Sequence, residues 1–279
     1  MKQEVQDWSS KSTLVHGAVK PWHVLFLYCV GFAVSTVASY YLTENESAYI
    51  RSEMRDVVWR GINGVIILIL TIVVPEFRRS LPTLFAKPST EITKYDIALA
   101  VGVSLAWGYG FYRIAVCFPL VHADLQRFYG LCLFSQLPEF KAKYLLMLIG
   151  TTITAPLAEE LIFRGYLLNL WIARWGVTAG ILISSTIFGL FHFQNTLFAL
   201  PMGIAFALVY LKYDSLWPGI ALHALCNALA FPWMPGGLAH IKDKGAADQL
   251  NNWIPELLLA VVFVPLVVLF WRRFKPLTA

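Results

Sequence analysis

Residues 143–172 read KYLLMLIGTTITAPLAEELIFRGYLLNLWI, and this run indicates the architecture of the chain. A helix that crosses a bilayer needs about 20 mainly apolar residues. This run exceeds that length, so it is too long for one straight span. We expect Pro156 to kink the helix and to release a backbone carbonyl one turn earlier.

The composition of the whole chain places it among membrane proteins. Of its 279 residues, 58% are hydrophobic and only 14% are charged, and the mean hydropathy is +0.62. Soluble domains carry about 25% charged residues. We therefore predict a single all-α, polytopic transmembrane domain over residues 1–279. The net charge of +5 does not indicate a nucleic-acid partner, because the basic residues cluster at the ends of apolar segments, where they orient helices.

The apolar runs predict about eight transmembrane helices that enclose a polar cavity. We place them at 22–42, 57–75, 95–120, 143–172, 178–194, 196–212, 216–231 and 254–271. With the N-terminus inside, the inner segments hold twelve Lys and Arg residues and the outer loops hold seven. The positive-inside rule then favours a cytoplasmic position for both termini.

Two adjacent acids lie within the fourth run. Glu160 and Arg164 are one helical turn apart with the acid first, which is the favourable order for an ion pair. Glu159 is rotated by about 100° from Glu160 and has no partner nearby in the sequence. A buried carboxylate without a local partner is suited to proton transfer. We therefore assign a bracing role to the Glu160–Arg164 pair and a functional role to Glu159.

Two more polar pairs occur at the same four-residue spacing. Phe188 and His192 share one helical face, and a histidine beside Glu159 could form a general-base pair with it. Alone, a histidine near a helix end is more often a packing residue. His223 and Asn227 share another face and could donate hydrogen bonds to an oxyanion. They could equally form a polar clamp between helices, and the sequence leaves both readings open.

Small residues and cysteines add two further expectations. Gly189, Gly203 and Gly219 predict close approaches between helices. The four cysteines have no CxxC spacing, so they indicate neither a zinc site nor a disulfide framework.

The three polar segments, in this order on successive helices, resemble a known family. They match the motifs EExxxR, FxxxH and HxxxN of the CAAX protease and bacteriocin-processing family, also called CPBP or Abi. Each motif is weak alone, but three in order within a polytopic chain are specific. The resemblance covers about residues 140–231, which would form the catalytic core.

The resemblance implies a glutamic-type intramembrane endopeptidase without a cofactor. In that mechanism Glu159 and His192 activate water, and His223 and Asn227 stabilise the oxyanion. Glu160, Arg164 and Phe188 support the site. The implied substrate is a membrane-associated protein or peptide, and the implied location is the inner membrane of a prokaryote. Nothing in the chain indicates that it binds a prenyl group, so prenylated substrates are not the default.

Three alternatives remain open at this stage. Glu and His side chains could bind zinc, although no HExxH occurs and an Asn is a poor zinc ligand. Intramembrane carboxylates and histidines also form proton or ion pathways in transporters, although no internal repeat indicates a transporter here. The chain could also be a non-proteolytic scaffold or immunity protein.

Overall fold

The computed structural model describes residues 20–42, 48–117, 149–192, 196–230 and 254–274. Within these ranges the chain is helical and has no β-strand, so the all-α prediction is confirmed for them. The helices are α1 (Pro21–Leu42), α2 (Ala48–Val73), α3 (Pro75–Leu84), α4 (Lys94–Cys117), α5 (residues 150–175), α6 (residues 177–190), α7 (Thr196–Tyr213), α8 (Leu216–Ala230) and α9 (Ile254–Phe274).

Each predicted apolar run overlaps a helix, although residues 74, 191 and 192 of these runs are described and are not helical. The first few residues of the run 143–172 lie outside the described residues. Helix α2 begins at Ala48, nine residues before the predicted start at 57. Its first turns contain charged residues, which a search for apolar runs excludes.

Helix α3 was not predicted. It begins with Pro75 in its first turn, followed by Glu76, and both residues favour a helix start. Phe77 and Leu84 are its buried residues and lie two turns apart on one face. At 10 residues it is too short for the transmembrane pattern that guided the prediction.

A glycine turns the chain back between α5 and α6. Gly176 has φ 83° and ψ 169°, a conformation that residues with a Cβ avoid. Helix α6 then packs against α5: the Ser184 hydroxyl donates to the Phe163 carbonyl at 3.1 Å. A Cβ on Gly180 would approach Ile172 Cγ1 to 2.6 Å. The hairpin brings the end of α6 back alongside the acids of α5.

Helix α5 contains two stretches wound more widely than an α-helix. Gly150–Thr154 and Leu161–Leu168 follow the π pattern, with Ala155–Glu160 between them. The first stretch ends just before Pro156, so the proline is accommodated by a π turn. Asn169 directly follows the second stretch. Its side-chain amide donates to the carbonyls of Arg164 and Gly165, both at 2.9 Å. Such π turns are frequent at functional sites.

Apolar side chains point outward from several helices. Phe26 on α1, Ile72 on α2 and Val261 on α9 are 67%, 64% and 64% exposed. Among the described residues, one continuous helical run, Gly150–Leu190, is long and apolar enough to cross a membrane, and it contains the turn at Gly176. Shorter apolar helices occur at Trp22–Ala38, Ile62–Val73 and Ala199–Tyr213. Eight membrane spans therefore stay a prediction.

Candidate active site

The innermost part of the site is an ion pair within α5. Arg164 Nη1 donates to Glu160 Oε1 at 2.9 Å, and both side chains are buried. Arg164 Nη2 also donates to the carbonyl of Gly203 on α7 at 3.1 Å. The guanidinium carbon lies 4.3 Å from the centre of the Phe188 ring, a cation–π distance. The side chain of Arg164 therefore joins α5, α6 and α7.

The same carboxylate oxygen contacts a histidine of α8. His223 Nδ1 lies 2.9 Å from Glu160 Oε1, and the histidine is buried. The imidazole ring stacks on Phe206 at 4.5 Å with an interplanar angle of 21°. A Cβ on Gly219 would lie 3.3 Å from Glu160 Oε2, so this glycine allows α8 to approach the acid. Glu160 thus has two nitrogen partners from two helices.

His192 lies just beyond the C-terminal end of α6. Its Nδ1 is 2.8 Å from the Phe188 carbonyl. Because a carbonyl only accepts hydrogen bonds, Nδ1 must carry the proton, and Nε2 of the neutral ring then has a free lone pair. The sequence predicted His192 near a helix end, and it lies there, although α6 ends at Leu190 and not at 194.

Glu159 lies between the two histidines. Its Oε2 atom is 3.8 Å from His192 Nε2 and 3.8 Å from His223 Nε2, too far for direct hydrogen bonds. That oxygen is buried and has no hydrogen-bond partner among the described residues. The Glu159 side chain is 13% exposed, whereas that of Glu160 is fully buried. The two neighbouring acids therefore have different surroundings.

Asn227 binds the backbone of α5. Its Nδ2 donates to the carbonyl of Thr151 at 2.9 Å. A π-type bond to that carbonyl would have to come from residue 156, and Pro156 has no N–H. The sequence predicted a carbonyl released about one turn before Pro156, and Asn227 supplies a donor there. An amide nitrogen carries two N–H groups, so the oxyanion role would use the second and stays a prediction.

The close helix approaches predicted at three glycines are present. A Cβ on Gly189 would lie 3.0 Å from Leu200 Cβ, and one on Gly203 would lie 3.0 Å from Ser185 Cβ. Gly219 approaches Glu160, as described above.

Six of the seven predicted site residues lie in one cluster. The seventh, Asn227, contacts Thr151 of α5, the helix that carries the two acids. The sequence analysis missed Phe206, which stacks on His223, and the carbonyl of Gly203, which binds Arg164. It also missed Tyr28 of α1, whose ring packs 5.7 Å from Phe163 and 4.9 Å from Phe191. No polar pattern distinguishes Phe206 or Tyr28 in the sequence.

Within the described ranges, no group of three or more His, Cys, Asp and Glu residues is arranged to hold a metal ion. The possibility of zinc therefore depends on a direct test with a chelator.

The position of the site in the chain agrees with a family comparison. Residues 141–229 match the family model described as "Type II CAAX prenyl endopeptidase Rce1-like". This part of the chain is therefore similar to that family, which agrees with the resemblance to CPBP proteins. The resemblance indicated by the three motifs is thus confirmed, and its limits of about 140–231 agree closely with the matched residues.

A curated relative is similar to this chain over a segment of about the same length. It is "Putative membrane peptidase YdiL" of Bacillus subtilis (strain 168), which is 33% identical over 84 residues. The match covers 29% of this chain and 34% of the relative, so it spans about a third of that protein's length. No solved structure matches the chain. Together with the apolar run in α5 and α6, the family match indicates a membrane protein.

Proposed function

We propose that this chain is an intramembrane endopeptidase of the glutamic type, and that Glu159 activates the water that attacks a peptide bond. The observation that carries the proposal is the surroundings of Glu159 Oε2: it is buried, lacks a hydrogen-bond partner among the described residues, and lies 3.8 Å from two histidine nitrogens. A buried polar atom without a partner needs an explanation, and a catalytic role is one.

The distances around Glu159 suit a bridging water, and because Oε2 is closed to solvent in the structure, its neighbours must move apart to admit one. Because Oε2 and each Nε2 are 3.8 Å apart, one water molecule can lie within about 2.8 Å of Oε2 and of either nitrogen. Glu159 and the lone pair of His192 would both accept hydrogen bonds from it. This pairing supplies the general base that peptide hydrolysis requires.

The reaction then follows with the atoms balanced. Glu159 takes a proton from water as the water oxygen attacks the peptide carbonyl carbon. The carbonyl oxygen becomes the oxyanion of a tetrahedral intermediate. When the intermediate collapses, the carbon–nitrogen bond breaks and the leaving nitrogen receives the proton from Glu159. The products are a new carboxyl terminus and a new amino terminus.

His223 and Asn227 are the proposed oxyanion donors. Nδ1 of His223 lies at hydrogen-bond distance from Glu160, and Nε2 lies on the side of Glu159. For Nε2 to donate while Nδ1 also donates, the ring must carry both protons, and a carboxylate at Nδ1 provides the matching charge. Glu160 and Arg164 would hold this ring in place.

We further propose that the chain crosses the membrane several times, about eight in all, in the inner membrane of a prokaryote with both termini in the cytoplasm. The apolar side chains exposed on α1, α2 and α9 support this, because soluble monomers rarely expose large contiguous apolar surfaces. The substrate would be a membrane-associated or membrane-anchored protein or peptide. The family model and the relative are named for peptidases, and both names support the same reaction class.

A peptide library tests the proposal without knowledge of the substrate. The purified full-length protein, reconstituted in lipid, is incubated with peptides from a digested membrane proteome, and new termini are read by mass spectrometry. The variant is Glu159→Gln, and the matched control is Glu76→Gln, the same change in α3. We expect new termini with the native protein and the control only.

Two further arms separate the alternatives. Cleavage that a strong chelator abolishes and zinc restores would contradict the metal-free mechanism. No cleavage by the native protein, together with proton flux into vesicles that Glu159→Gln abolishes, would replace the peptidase with a transporter.

A further inference from the structure

A groove separate from the candidate active site lies between α4 and α8. Its volume is about 180 Å³, and its walls are apolar, with Ile97 and Ala100 from α4 and Ala221, Leu222 and Leu225 from α8. Ile97 and Leu225 are exposed, so the groove opens sideways from the helix bundle.

Helix geometry separates this groove from the catalytic face of α8. Successive residues of an α-helix are rotated by about 100°, so Ala221, Leu222 and Leu225 lie on one side of α8. His223 and Asn227 lie on the opposite side, toward α5. An occupant of the groove would therefore not contact the reacting atoms.

A charged cluster forms one end of the groove. Asp96, which lines the groove, is buried and accepts hydrogen bonds from Lys212 Nζ and Arg273 Nε, both at 2.6 Å. Arg273 Nη2 donates to the second carboxylate oxygen at 3.1 Å. Two cations share one anion, so the cluster keeps one net positive charge. It also holds the ends of α4, α7 and α9 together.

The excess charge is accessible at the surface. The Arg273 side chain is 42% exposed. It bonds to Asp96 through Nε and Nη2, and Nη1 has no partner among the described residues, so Nη1 is the guanidinium nitrogen available to another ligand. Arg272 and Lys94 are exposed close by in sequence and add to the positive potential. The Lys212 ammonium lies 4.3 Å from the centre of the Phe274 ring, which lines the groove.

We propose that this groove and cluster bind one anionic phospholipid of the cytoplasmic leaflet. The phosphate would contact Arg273 and Lys212, and one acyl chain would lie between α4 and α8. A phosphodiester carries one negative charge, which matches the excess charge of the cluster. Basic pockets between transmembrane helices on the cytoplasmic side are known to bind such head groups. The proposal depends on membrane insertion but not on peptidase activity.

The test measures lipid affinity of the purified full-length protein by native mass spectrometry in detergent. The probes are phosphatidylglycerol and phosphatidylcholine with identical acyl chains, and glycerol 3-phosphate as a head group without a chain. We expect phosphatidylglycerol to bind more tightly than phosphatidylcholine. Arg273→Gln should weaken the binding of phosphatidylglycerol about fivefold, because one basic residue at a membrane surface contributes about 1 kcal/mol.

Arg272→Gln is the matched control, because it removes the same charge one residue away without touching Asp96. A second variant, Ala221→Leu, narrows the groove and leaves the charged cluster intact. It should weaken the binding of both lipids and leave the preference for phosphatidylglycerol unchanged. Equal affinities for the two lipids in the native protein, or equal losses in Arg272→Gln and Arg273→Gln, would overturn the proposal. Binding of glycerol 3-phosphate as tight as that of the lipid would show a free-phosphate site in place of a lipid site.

Discussion

The described part of the chain contains two buried acidic centres that are built differently. At Asp96, both carboxylate oxygens accept hydrogen bonds from cationic side chains. At the second centre, Glu160 is held by Arg164 and His223 through Oε1, whereas its Oε2 is buried without a hydrogen-bond partner among the described residues. Its neighbour Glu159 has a buried oxygen without a partner among the described residues, beside two histidines that are too far away to bond.

This difference separates structural acids from a reactive one. A carboxylate that is bonded to a fixed cation, as Asp96 and Glu160 are, is held in one place and has little capacity to accept a proton. Among the described residues Glu159 has no hydrogen bond to a cation and lies beside two histidines, so it can bind water and exchange protons with it. The comparison therefore predicts that changes at Asp96 and Arg164 affect folding first, and that changes at Glu159 affect catalysis first.

The largest effect is expected from removing the unpaired acid. Glu159→Gln keeps the size of the side chain and removes the base, and Glu159→Ala and His192→Ala should also abolish cleavage. General-base catalysis contributes roughly 10²–10⁴-fold to the rate. Two quantities are measured on the same sample: turnover of a cleaved peptide reports catalysis, and the unfolding temperature reports folding. Full activity in any of these variants would show that the general base is assigned wrongly.

Arg164→Ala should have the next largest effect, on folding and on activity. It leaves Glu160 buried without its cation, and breaking a buried pair costs roughly 3–5 kcal/mol. Folded yield and unfolding temperature are the measurements. Arg174→Ala is the control, because that arginine is exposed on the same hairpin. A well-folded and fully active Arg164→Ala protein would show that the pair does not brace the site.

Asn227→Ala tests which of two roles this amide performs. If Asn227 stabilises the oxyanion, turnover should fall by about 10²–10³-fold with little change in the Michaelis constant. If it only clamps α8 to Thr151, the unfolding temperature should fall and turnover per folded molecule should not. Measuring both quantities on one preparation separates the two outcomes.

Asp96→Asn should lower stability and leave turnover per folded molecule unchanged. Hydrogen bonds to charged groups contribute roughly 1.5–3 kcal/mol, and the exposure of Arg273 places the effect toward the lower end. Chemical or thermal unfolding in detergent measures the loss. A large fall in turnover without a loss of stability would mean that the two acidic centres are not separate in function.

The smallest effect is expected at a glycine beside the site. Gly219→Ala places a Cβ 3.3 Å from Glu160 Oε2, so the acid must shift by a few tenths of an ångström. We expect a severalfold fall in turnover and a change in stability of less than about 1 kcal/mol, because alanine favours helix. Gly64→Ala is the control, since nothing lies within 4 Å of its added Cβ. Equal turnover in both variants would show that this contact does not position Glu160.

The local part of the site could be predicted from sequence because it depends on helical periodicity. Four-residue spacing places Glu160 beside Arg164, and the structure has this ion pair. Contacts between helices could not be predicted, because 63 residues separate Glu160 from His223 and no local pattern records their approach.

Three features of the fold show what long apolar runs can and cannot predict. The turn at Gly176 falls between the predicted runs 143–172 and 178–194, so apolar length alone located the hairpin. Helix α3 was missed because its signal is an amphipathic face in a short segment, whereas the prediction relied on long apolar runs. The π-type turns of α5 leave no mark in the periodicity, and at Pro156 the sequence predicted a kink with a released carbonyl but not a π turn.

The most direct test of the central claim compares cells that carry the native protein with cells that carry Glu159→Ala at equal membrane abundance. Peptide termini are mapped by mass spectrometry across the membrane and secreted proteomes. The account predicts at least one membrane-associated protein with a new terminus that is present only with the native chain. Identical termini in both cell types, with the variant stably inserted, would contradict a peptidase that depends on Glu159.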